Sequence, residues 1–78
     1  MAKKEFLSEA ELAAFAKCMR KKAGKTRAQV ARDMGVSQTS IFHAEESPER
    51  SLAKLRTRII EAYSPFKVVG PLFYLENK

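Results

Sequence analysis

The sequence predicts a mainly α fold, a compact bundle of about four helices closed by a short C-terminal β segment, and three observations predict it. Ser8, Thr26 and Ser37 each stand just before a run whose apolar residues recur at three- and four-residue spacing. Gly24, Gly35, Pro48 and Pro65 fall where those runs stop. From Phe66 onward, β-branched and aromatic residues crowd around Gly70 and Pro71, which favours extended structure with a bend over helix. With 78 residues, 45% of them apolar, the chain holds one small core and no second domain.

The helices follow in order. Ser8 and Glu11 form a capping box, flanked by a Leu7–Leu12 staple, and Leu12, Phe15, Ala16, Met19 and Ala23 then make one apolar stripe that ends at Gly24. Cys18 lies near that stripe as a small filler and has no activating base beside it in sequence. Thr26 and Gln29 form a second box, opening a short helix with Val30, Ala31 and Met34 on its apolar edge and Gly35 at its end. Ser37 caps a third helix that ends near Glu45 or Glu46, before Ser47-Pro48. A longer fourth helix puts Leu52, Leu55, Ile59 and either Ala62 or Tyr63 on one face, with Lys54, Arg56 and Arg58 largely off it, and Ser64-Pro65 closes it. This gives a flexible basic arm over residues 1–7, a helical domain over 8–64 and an extended segment over 65–78.

Composition narrows the functional classes. Fifteen Lys and Arg against nine Asp and Glu leave a net charge of +6, and residues 17 to 32 contain seven basic residues and no acidic one. A solvated helix face explains such a run; attraction to phosphate is its functional reading. One cysteine and one histidine exclude an intrachain disulfide and a four-ligand Cys/His zinc site, so oligomerisation is the remaining way to reinforce a core expected to supply only about 3 to 5 kcal/mol. No apolar run has the length of a signal peptide or a membrane span, which points to the cytoplasm. Catalysis is not expected either. Cys18 and His43 lack a third orienting group, and no phosphate-binding glycine loop or carboxylate pair is present. No cofactor or metal is implied.

The stretch GVSQTSIFHAE, residues 35 to 45, sets the function. Two short helices joined by Gly-Val-Ser, the second capped and then broken, fit a helix-turn-helix plan, with glycine permitting the left-handed turn. At about 100° per residue, Ile41 and Ala44 share one side of the second helix while Gln38, Thr39, Phe42 and His43 share the opposite arc. The segment TRAQVARDMGVSQTSIFHAE resembles the helix-turn-helix of the phage repressor and Cro family, the Xre-like regulators, and the likeness extends from residue 20 to about 62.

That resemblance implies a bacterial or phage DNA-binding protein that dimerises on an operator and represses transcription. It places Gln38, Thr39 and His43 at base-facing sites and Phe42 at a variable outward one. Ser37, with Ser40 in the turn after it, falls among the phosphate contacts, and Arg20 and Glu45 match a pair joining the first helix to the end of the third. The chemistry of these residues agrees. Glutamine pairs with the N6/N7 edge of adenine, threonine offers a hydroxyl or a methyl, and phenylalanine packs on a thymine methyl. Lys21, Lys22, Lys25 and Arg27 suit the phosphate backbone. Lys3 and Lys4 form either an arm reaching the duplex or a simple disordered terminus.

The tail departs from the commonest family plan, in which a fifth helix follows; some Cro proteins and antitoxins use a C-terminal strand to dimerise. An isologous homodimer through Phe66, Val68, Leu72, Phe73 and Leu75 is therefore expected, the alternative being a tail folded back over its own helices. The expected function is a sequence-specific transcriptional regulator, most simply a repressor binding a palindromic operator. The competing expectation is an antitoxin that neutralises a toxin protein and autoregulates its operon.

Overall fold

Side-chain oxygens start three of the four helices. The computed structural model describes residues 7–69 and 73–78 and contains α1 (Glu9–Lys22), α2 (Arg27–Met34), α3 (Gln38–Glu46), α4 (Ala53–Tyr63), β1 (Phe66–Val69) and β2 (Tyr74–Asn77). Ser8 Oγ accepts the Glu11 N–H at 3.1 Å while Glu11 accepts the Ser8 N–H at 2.8 Å; Thr26 and Gln29 repeat both bonds at the same distances. Ser37 Oγ accepts the Ser40 N–H at 3.1 Å. Each such bond satisfies an amide that the helix itself leaves unpaired, a contribution of about 1 kcal/mol. Gly24 and Gly35, with φ of 71° and 70°, end the first two helical segments in a conformation that a Cβ disfavours. No side-chain oxygen caps α4, whose N-cap residue is Leu52.

The core lies where the four helices converge. Leu12, Ala13, Ala16 and Met19 enter from α1, Val30 and Ala31 from α2, Ile41 and Ala44 from α3, and Leu55, Ile59 and Ile60 from α4. The alanines let the helix backbones approach, and each buried Leu, Ile or Val contributes about 1.5 to 3 kcal/mol over leaving it in water. Two residues depart from the stripe expected for the first helix. Ala23 is the exposed C-cap residue, and Cys18 is exposed instead of filling a gap. On α4, Tyr63 is half-buried and Ala62 exposed.

Arg56 is the main correction to the sequence reading of α4. It is fully buried, not off the apolar face. Its Nε donates to Ala44 O at 2.7 Å, one terminal nitrogen to Ser47 O at 2.8 Å, and the other to Arg50 O at 3.1 Å and Glu9 Oε1 at 2.6 Å. One guanidinium thereby satisfies a carbonyl in the last turn of α3 and two in the connection to α4, and its charge meets the negative end of α3. Burial of this cation is tolerable because each of its nitrogens is bonded.

The C-terminal segment is an antiparallel hairpin, with Val68 opposite Leu75 and Lys67 opposite Glu76. Alternation along the strands puts Phe66, Val68 and Leu75 on one face. Val68, Leu75 and Phe73 pack on the helical core, and the Phe66 ring lies 6.0 Å from that of Phe15. The outer face carries a Lys67–Glu76 ion pair at 3.0 Å. Glu61 of α4 accepts the Val68 N–H at 3.0 Å, covering the free edge of β1, and Phe73 O accepts the Leu7 N–H at 2.6 Å. The tail thus folds back over its own helices, the alternative left open by the sequence, while Phe66, Val68, Phe73 and Leu75 each keep part of their surface exposed. Leu72, and Lys3 and Lys4 of the N-terminal arm, lie outside the described residues. No helix among the described residues is long and apolar enough to cross a membrane.

Candidate nucleic-acid interface

The turn between α2 and α3 sets the geometry of the candidate site. Gly35 takes φ 70° and ψ 35°, and the Val36 N–H reaches back to Ala31 O at 3.0 Å. A Cβ at Gly35 would meet no atom within 4 Å, so backbone conformation alone makes glycine the favoured residue here. Ile41 and Ala44 are then fully buried beneath α3, while Gln38, Thr39 and Phe42 are exposed on its outer side. At 44% exposure, Phe42 is the one large apolar side chain left in water among the described residues. A lone exposed ring is unremarkable on most surfaces; here it sits between two exposed polar residues and a histidine on one short helix.

His43 is half-buried. Its Nδ1 lies 2.9 Å from Ser47 Oγ, and its ring meets that of Phe42 edge-on with centroids 5.5 Å apart. Nε2 makes no hydrogen bond among the described residues. Ser37 Oγ and Ser40 Oγ are 3.0 Å apart at the start of α3. Neither α2 nor α3 has an acidic residue in its first turn, so both positive helix ends stay uncompensated by their own side chains.

A charged network fixes α3 from behind. The buried Glu45 carboxylate accepts Arg20 Nε at 2.5 Å, a terminal nitrogen of Arg20 at 3.1 Å and Arg27 Nε at 3.0 Å. Another Arg20 nitrogen donates to Lys25 O at 2.8 Å, which ties the α1–α2 loop into the same network. Glu46 receives Lys17 at 2.5 Å and Arg27 at 2.9 Å. The Lys17 hydrogen bond holds the Glu46 carboxyl below its ordinary value.

The basic run is therefore divided. Lys17, Arg20 and Arg27 are engaged by Glu45 and Glu46, and Lys25 stands 4.0 Å from Asp33 at the limit of an ion pair. Lys21 and Lys22, at the exposed end of α1, form no ion pair among the described residues. Lys17, Lys21, Lys25, Thr26 and Arg27 line an open cleft between the end of α1 and the start of α2. The sequence reading treated Arg27 as one cation among four. The Glu45-Glu46 pair at the end of α3, facing a run with no acid of its own, was the signal that some of those cations have protein partners.

Comparison with protein-family models, with curated proteins and with solved structures returns no match for this chain.

Proposed function

We propose that this protein belongs to the class of helix-turn-helix DNA-binding proteins, with α3 as the helix that enters the major groove. Within that class we propose a sequence-specific transcriptional regulator, a repressor acting as a homodimer on a palindromic operator. The observation that carries this reading is the exposure of Gln38, Thr39 and Phe42 together on a short capped helix behind a left-handed glycine turn. Those three side chains suit an adenine edge, a hydroxyl or methyl contact and a thymine methyl. The uncompensated positive ends of α2 and α3, with Lys21 and Lys22 in no ion pair among the described residues, suit the flanking phosphates. The Arg20–Glu45 pair supports the same reading by fixing the tilt of α3 against α1.

Dimerisation is proposed through the hairpin, whose strand β2 has only β1 beside it among the described residues. Titration of a short random-sequence duplex at stepped salt tests the electrostatic part. Affinity should fall linearly on a log-log plot, and replacing Lys21 and Lys22 together by alanine should make the slope shallower by about two units. Absence of binding at low salt contradicts the proposal, and an unchanged slope removes both lysines from the phosphate set.

A further inference from the structure

Arg27 is held on three sides by α3. Its Nε donates to Glu45 at 3.0 Å and a terminal nitrogen donates to Glu46 at 2.9 Å, while the guanidinium carbon sits 5.1 Å from the centroid of the Phe42 ring. We propose that Arg27 is a positioning residue for Phe42: it holds the ring where it packs on the 5-methyl group of one thymine, and is not itself a phosphate contact. This proposal rests on the DNA-binding reading above.

Three features support it. First, Arg27 donates to both Glu45 and Glu46, so a phosphate would have to displace two carboxylates that already hold its guanidinium. Second, an exposed phenylalanine on a helix is free to change rotamer unless something flanks it. Here the Arg27 guanidinium lies over the ring, and His43 meets the ring edge-on with centroids 5.5 Å apart. Third, the thymine methyl is the apolar group that the major groove offers to such a ring. Only a planar guanidinium joins two carboxylates and an aromatic face at once; a lysine keeps the charge and loses the plane.

The test uses the full chain and the duplex it enriches from a random pool, with each thymine replaced in turn by uracil to delete only the methyl. The wild-type protein should lose affinity at one thymine by about fourfold, the factor that burying one methyl-sized group supplies. Phe42→Ala should abolish that discrimination. Arg27→Lys should abolish it at the same base pair with the salt slope unchanged, and the double variant should discriminate no worse than Phe42→Ala. Arg27→Gln, a second variant of lower charge, carries the same expectation. An Arg27→Lys protein that keeps the thymine preference overturns the proposal, as does an Arg27→Gln protein whose log-log salt slope falls by about one unit, the mark of a phosphate contact. A wild-type protein indifferent to every thymine methyl overturns this proposal alone; one that enriches no duplex overturns the DNA reading with it.

Discussion

Gln38 and Arg56 illustrate the two ways in which a single side chain matters in this protein. Gln38 is exposed in the first turn of α3, and its side chain makes no hydrogen bond among the described residues. Gln38→Ala is therefore expected to leave the unfolding midpoint near wild type while costing about 1 to 3 kcal/mol at a cognate site and relaxing preference at one base pair. Binding measured on point-substituted operators checks this, and equal weakening on every sequence would count against base reading. Arg56 is the reverse case, buried and bonded to three carbonyls and Glu9. Arg56→Ala strands those acceptors at the end of α3 and is expected to cost about 3 kcal/mol or more. In a domain of this size that leaves much of the chain unfolded, which urea denaturation reads directly. Sequence reasoning placed Gln38 on the outer arc because 100° periodicity decides it. It misplaced Arg56 because charge argues for water, although Leu52, Ile59 and Ile60 stand four, three and four residues away and put Arg56 on their face.

At the scale of the elements, local signals carried the most information. Capping boxes act within four residues, so the starts of α1 and α2 are written in Ser8-Glu11 and Thr26-Gln29 and appear in the structure with both bonds formed. Of what joins one element to another, only the Arg20–Glu45 pair was legible, through the family resemblance, and the structure forms it; the other joints depend on residues far apart in sequence. Tyr63 at the end of α4 donates to Asp33 of α2 at 2.7 Å, and Arg58 donates to Met34 O at 3.0 Å. The Tyr63 contact has a pH signature. Burial first, then the Asp33 hydrogen bond and charge, raise its phenol from 10.0 to about 12. A folded value above the unfolded one means that the contribution is complete below pH 10.0 and is lost as pH rises toward about 12. Urea midpoints followed from about pH 9 to about pH 12 should fall more steeply for wild type than for Tyr63→Phe, which removes the titrating hydroxyl. Parallel curves would show that the Tyr63–Asp33 bond does not link α4 to α2 in solution.

For the whole molecule, the proposed dimer answers to one small core and the proposed DNA partner to a net charge of +6. The tail was legible as extended from the residue types after Pro65; composition left one strand and a hairpin equally open, and the folded chain pairs β1 with β2. Its docking was not legible. Phe66, Val68, Phe73 and Leu75 have the composition of an interface and of a core alike, and only the folded chain shows them against its own helices. The proposed dimer must then use the exposed remainder of the hairpin, and it fixes the spacing of two α3 helices on DNA. Selection of bound duplexes from a random pool tests the central claim most directly, because one result reports binding, base reading and two-fold symmetry. The account predicts enrichment of an inverted repeat whose half-site centres lie one helical turn apart, about 34 Å. A pool that stays random, with affinity set by salt alone, would contradict it.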